Sequence, residues 1–256
     1  MNILIYYFRM NVKRQCAYTT NLLGEFILSL SYYFIQFVFI DQISSFSGGL
    51  GVYNKEEVNL IFTVFILLGL LLSIFTNSIE TFFENVAEGR IEVYLTKPVS
   101  VWVMVLVGWC KPLNILNFLI TLLFAYSFVT LPNLLNPTLS WGYFFISLLC
   151  VFLINLFFFM IFNFFTFITS RKMPVDYFHE MIFELSFIPI AIYPTSIVKW
   201  MLFIIPVAFS ASLPVSLLLN KNEWNIKYLL LSTVIMFTVM LFTYKTTVKK
   251  FNGLGG

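Results

Sequence analysis

The single histidine, His179, opens the run His179-Glu180-Met-Ile-Phe183-Glu184. A zinc helix of the H-E-x-x-H type needs a second imidazole one turn further on, so that both nitrogens reach one ion. Phe183 stands at that position and the chain has no other histidine. His179 therefore reads as a polar residue at the edge of an apolar segment. Hydrolytic chemistry has no better footing, because no G-x-S-x-G elbow occurs. Phosphate chemistry fails in the same way. The loop 42–57 carries Ser44, Ser45, Gly48, Gly49 and Gly51, but neither the Gly-Lys-Ser/Thr of a P-loop nor a G-x-G-x-x-G follows. That loop reads as a flexible connector. No catalytic residue, metal ligand or cofactor of its own is expected of this chain.

Charge is the remaining chemistry, and it is concentrated in one place. Glu80, Glu84, Glu88 and Glu92 recur every four residues, with Gly89, Arg90, Lys97 and Pro98 among and after them. On one continuous helix the acids form a stripe, and like charges at that spacing destabilise an isolated helix by roughly 0.2–0.5 kcal/mol per pair. Gly89 weakens a helix by about 1 kcal/mol relative to Ala, and Pro98 stops or bends it for want of a backbone N–H. Two readings stand side by side: a surface made for another protein, or a solvated loop that holds the topology. Two further acids, Glu25 and Glu184, fall inside apolar segments and form a candidate intramembrane polar site. Such residues usually face a bundle interior or a water-filled path; the alternative is that each sits near the surface and reaches water.

The elements that must position these residues are apolar. The 256 residues are 60% hydrophobic, 20% aromatic and 11% charged, where an ordinary soluble domain is roughly a quarter charged. The apolar runs reach the ~20 residues a spanning helix needs and lack the alternation of a barrel strand. Lipid offers no partner to backbone amides, so the spans are helices. The expected fold is an all-α integral membrane protein, a single transmembrane domain over 1–256. Residues 1–18 form an interfacial amphipathic helix with Ile3, Leu4, Tyr7, Phe8 and Val12 on one face. Arg9, Lys13 and Arg14 before an apolar run mimic a signal peptide. The run Leu22–Ile40 is as long as a full span, however, and no small-residue cleavage site follows, so it reads as an uncleaved first helix.

Six spans are expected at about 20–41, 58–79, 112–131, 139–169, 177–194 and 226–244. Segment 99–110 enters the interface, with Trp102 and Trp109 as anchors. Segment 195–219 is either a seventh span or two half-helices that dip in and return, because Pro206 and Pro214 break it. With 195–219 re-entrant, one side holds Arg9, Lys13, Arg14, Arg90, Lys97, Lys111, Arg171, Lys172, Lys245, Lys249 and Lys250. The other holds Lys55, Lys199, Lys221 and Lys227. The richer side is cytoplasmic, so both termini and the acidic stretch face the cytoplasm. Cys16, Cys110 and Cys150 are scattered and odd in number, which argues against a disulfide framework, and all three read as buried small hydrophobes. Basic residues form no tract for nucleic acid. Intramembrane charge is scarce, and relays driven by ion gradients are built from such charge; energy for any transport is then expected from another subunit.

Ala87-Glu88-Gly89-Arg90-Ile-Glu92-Val-Tyr-Leu95-Thr-Lys97-Pro98-Val99-Ser100 resembles the G-R-hydrophobic-acid-x-x-L-x-base-P-V-S stretch of ABC-2-type permeases, in particular small six-span members of unknown substrate. Tyr193-Pro194, then Ile205-Pro206-Val-Ala-Phe209 and Leu213-Pro214, resemble a second, less specific pattern of that family. The resemblance implies a half-transporter in the cytoplasmic membrane of a bacterium. Two permease chains, identical or homologous, would sit in membrane lipid on ATP-binding subunits, which hold the ATP and Mg. It implies that region 80–98 supplies the coupling helix, with Glu84, Glu88, Gly89, Arg90, Glu92, Lys97 and Pro98 at or near the contact. It also matches 1–18 to the interfacial helix and 195–219 to re-entrant helices, which favours six spans. The function implied is export of an amphiphile such as a drug, a lipid-like molecule or a peptide. A gradient-driven carrier using Glu184 or Glu25, and a non-transporting immunity or assembly module, remain open.

Overall fold

A computed structural model describes residues 3–90, 99–128, 137–169, 171–221 and 226–249. Of the positions singled out above, Glu92, Leu95, Lys97, Pro98 and Lys250 lie outside the described residues. The chain is almost wholly helical. Helix α1 (Ile3–Cys16) leads into α2 (Thr19–Ser47). A two-residue ribbon, β1 (Gly49–Leu50) against β2 (Tyr53–Asn54), turns the chain into α3 (Lys55–Ala87). The ribbon demands glycine: Gly49 has φ +135°, and a Cβ there would stand 2.1 Å from the Tyr53 carbonyl oxygen.

Beyond α3 lie α4 (Val101–Val107), α5 (Asn114–Phe128), α6 (Pro137–Asn163) and the short α7 (Thr166–Thr169). They are followed by α8 (Val175–Glu184), α9 (Thr195–Ile204), α10 (Ser212–Leu218) and α11 (Ile226–Val248). Among the described residues four segments are long and apolar enough to cross a membrane: Thr19–Ser47, Lys55–Ala87, Leu139–Thr169 and Ile226–Val248. Their surroundings differ. The apolar stretch of α3 is 72% buried within the chain and that of α2 only 6%. Helix α3 is therefore the axle of the fold, while α2 leans on it from outside. Helices α6 and α3 supply most of the aromatic core, where Phe83 meets Phe164 and Phe167 edge-on and Phe75 meets Phe152.

Several expectations change here. Of the segment expected as a third span, the described part is helical over 15 residues, Asn114–Phe128, about 22 Å at 1.5 Å per residue, and 129–131 lie outside the described residues. Segment 177–194, expected as one span, is not a single helix: α8 ends at Glu184, and 3-10 turns follow at Leu185–Phe187 and Ile190–Ile192. Pro189 and Pro194 account for the break, because neither can donate the next helical hydrogen bond. Segment 195–219 is likewise divided. Helices α9 and α10 are separated by a turn at Pro206–Phe209, and Val207, Ala208, Phe209, Ala211 and Val215 are buried. Trp102, half-buried, packs against Phe164 and Tyr244. Cys110 and Cys150 are buried, but Cys16 is exposed.

Candidate functional site: the charged end of α3

Helix α3 has 33 residues and so runs about 50 Å, well beyond a hydrocarbon core of about 30 Å. Its last two turns carry Glu80 and Glu84. The helix then stops where the sequence analysis expected weakening only. Gly89, at φ +73°, donates its N–H to Val86 O (3.1 Å), and Arg90 N–H donates to Asn85 O (2.9 Å). This pair of bonds is a Schellman ending, in which a left-handed glycine closes the last open carbonyls. The expected stripe of four acids on one continuous helix is thereby cut: Glu80 and Glu84 belong to α3, and Glu88 caps it.

Glu80 and Glu84 are not free. Lys172, from the turn before α8, reaches both carboxylates, with Nζ 2.7 Å from Glu80 Oε1. Burial by itself would lower the pKa of the Lys172 ammonium. Hydrogen bonds to Glu80 and Glu84, and their charges, outweigh it and hold the pKa above the ordinary lysine value. Glu88 pairs with Arg90 in the open, a kind of contact worth little by itself. Phe82 against Trp109 and Phe83 against Phe164 and Phe167 fix the rotation of this tail, so the acids point toward Lys172.

The chain that leaves this region returns to α3 through an elbow at 107–114. Asn77 Nδ2 donates to Trp109 O (2.7 Å), Trp109 N–H to Ser78 Oγ (3.0 Å), Lys111 N–H to Ile74 O (3.0 Å) and Asn114 Nδ2 to Ser73 Oγ (2.8 Å). Helix α1 grips the same elbow. Asn11, fully buried, donates to Val107 O (2.8 Å), and Gln15 Oε1 accepts from Leu113 N–H (3.0 Å). Glu25 of α2 pairs with Lys111 across 3.4 Å. Glu25 thus belongs to this junction and not to a site shared with Glu184. Sequence reasoning missed Asn11 and Gln15, which lie on the polar side of an amphipathic helix and carry no local sign of a distant partner.

Glu184 lies on α8 in line with Asp176 and Glu180. All three are exposed in the isolated chain and border a cavity of about 230 Å³ that also reaches Glu80, Tyr32 and Tyr33. His179 takes the inner face. Asn155 Nδ2 donates to Val151 O and Ser210 Oγ, both 2.7 Å away. Its Oδ1 is therefore the acceptor, and His179 Nε2 donates to it over 3.0 Å. The histidine is a core strut between α6 and α8.

These features define a polytopic helical membrane protein with a charged junction at one end of its central helix. The family model described as "ABC-2 family transporter protein" matches residues 26–255, and the chain belongs to that family. No curated protein and no solved structure matches it.

Proposed function

We infer that the chain is the membrane-spanning permease of an ATP-driven exporter in a bacterial cytoplasmic membrane. Two copies, or one copy and a homologous permease, would stand on a pair of ATP-binding subunits. Six membrane crossings put both termini and region 80–98 in the cytoplasm. The short segments at 114–128 and 175–194 serve as the third and fifth crossings, and 195–219 as the re-entrant pair. The substrate class implied by the family is an amphiphile.

One observation supports coupling through this end of α3. The stretch that resembles the family's coupling helix sits between two rigid fixtures, the glycine-closed tail at Glu84–Arg90 and the elbow at 107–114. A push on 80–98 is then delivered to α1, α2 and α3 together, because Asn11, Gln15, Glu25 and Asn77 all meet that elbow or its flanks.

The test is made on the transporter purified from its native membranes with its ATPase. Glu84→Lys with Glu88→Lys should release the ATP-binding subunit and abolish coupled transport. Lys172→Glu added to Glu84→Lys restores the internal ion pair, yet should leave the ATPase released. Undiminished co-purification in both variants would overturn the coupling role. A second reading, a gradient-driven carrier, draws on the row Asp176, Glu180 and Glu184 at its cavity. It requires uptake into vesicles driven by a proton gradient without ATP, lost in Glu184→Gln.

A further inference from the structure

Between α2, α3 and α5 lies a second cavity of about 340 Å³, separate from the charged junction. It exists because α2 touches α3 along a narrow line, burying only Ile40 and Ser44 of its own residues. The wedge that remains is walled by aromatic rings. Phe34 and Phe37 each stand edge-on to Phe124 at 5.9 Å. Tyr33 also lines it, with its hydroxyl toward Gly69, 3.8 Å from where a Cβ there would stand. None of the lining residues is charged.

One buried hydroxyl in this wall is unspent. A threonine inside a helix normally returns its hydroxyl to the carbonyl four residues back. Thr63, on the opposite wall, does this to Asn59 O at 2.8 Å, and Thr81 and Thr247 do the same elsewhere. Thr121 lines the cavity, is 8% exposed, and its Oγ1 has no hydrogen-bond partner among the described residues. A hydroxyl left so in an apolar setting bears its desolvation cost with no bond in return. A ligand that completes it recovers that cost.

The geometry points to a binding site for an uncharged, drug-sized molecule with an apolar, ring-containing body and one hydrogen-bonding group, which Thr121 Oγ engages. Size and lining match small-molecule sites, which are typically 300–1,000 Å³, mostly apolar and aromatic, with few polar groups. The lining excludes an ion, since no counter-charge is present. It also disfavours an acyl chain. Lipid tails are as apolar as the side chains that would replace them, so a tail gains little by entering and leaves Thr121 unpaired. A molecule with a carbonyl or hydroxyl gains a bond the bilayer interior cannot offer. Binding here does not depend on the coupling reading and needs no ATP-binding subunit, so each can fail without the other.

The probe is benzophenone, which is neutral, two-ringed, equipped with one acceptor oxygen, and photoreactive. The full chain in lipid nanodiscs is irradiated over a concentration series and the labelled residues are read by mass spectrometry. Saturable labelling is expected on α2 and α5 around Phe34, Phe37 and Phe124, undiminished by excess benzophenone-4-carboxylate. Thr121→Val should raise the half-saturating concentration about three- to ten-fold, the value of one hydrogen bond, while its unfolding midpoint stays level or rises. Ala125→Phe, which fills the cavity, should remove the labelling. Labelling that grows linearly with concentration and is equal in Thr121→Val would mean the cavity holds only lipid. A fall in the Thr121→Val unfolding midpoint would mean the hydroxyl serves the fold. Either result overturns the proposal.

Discussion

The two ends of α3 use one device, a glutamate of the helix paired with a lysine from far along the chain, and use it to different effect. At the first end, Lys221 reaches Glu57 and the Val52 carbonyl (2.9 Å) and lies over the Tyr53 ring. Glu57 also accepts from Asn54 N–H (2.8 Å), which ties the helix start to the ribbon. Asp41 of α2 adds Lys55 (2.9 Å) and Asn59 (2.7 Å). The Glu57 side chain is only 14% exposed. At the far end Lys172 holds Glu80 and Glu84, but Lys172 is 42% and Glu84 41% exposed, and the Glu88–Arg90 pair is more open still. A shielded pair with backbone partners fixes structure. A solvated pair contributes little stability and can be exchanged for another protein's charges without much loss. The difference locates where α3 is anchored and where it can be addressed.

The largest effect should come from breaking the shielded end. Lys221→Met leaves the Glu57 carboxylate largely enclosed with one partner fewer, and the loss is about 2 kcal/mol, in the range for a buried hydrogen bond to a charged group. It should appear as a lower midpoint of thermal unfolding in detergent, changing little with salt. A midpoint equal to wild type would remove the contrast between the two ends. An intermediate effect is expected from Gly89→Ala. A side chain in the left-handed region costs roughly 1–2 kcal/mol, and here it also strains the bonds that close Asn85 and Val86. Amide exchange at Gly89 and Arg90 should quicken, with the remainder of α3 unaffected. Uniform quickening along α3 would mean the tail is not a separate fixture.

How much of this was legible in the chain depends on distance along it. The acids of the α3 tail were visible because their four-residue period is local, and the long apolar runs gave the helical membrane class. Gly89 was visible but misweighed. Read with Glu92 as part of a continuing helix it is a weak point, whereas a helix-final glycine followed by a basic residue is a stop signal. Pro189 carried the break after Glu184 in plain view, and the apolar composition of 177–194, read as one span ending at Tyr193-Pro194, outweighed it. The Lys172 clamp had no local mark, because its partners lie about ninety residues away. The same holds for Asn11 against Val107. Thr121 is beyond any pattern reading, since an unspent hydroxyl is defined only by what fails to surround it.

The smallest effect tests the open end itself. Lys172→Met should cost under about 1 kcal/mol at low salt, as for other exposed pairs, and less as ionic strength shortens the Debye length to about 8 Å or below. The pH dependence separates this contact from a proton switch. The pKa of Lys172 is raised on folding, so its contribution is fully present below the ordinary lysine value and lost only as pH rises beyond it. The clamp stays charged on the lysine side throughout the physiological range, and Lys172→Met should not change the slope of stability with pH between 6 and 9. A slope that does change there would mean that the junction senses protons. A flat slope, with a stability difference that shrinks as salt is added, leaves an exchangeable ion pair, which is what a docking partner with its own cations requires.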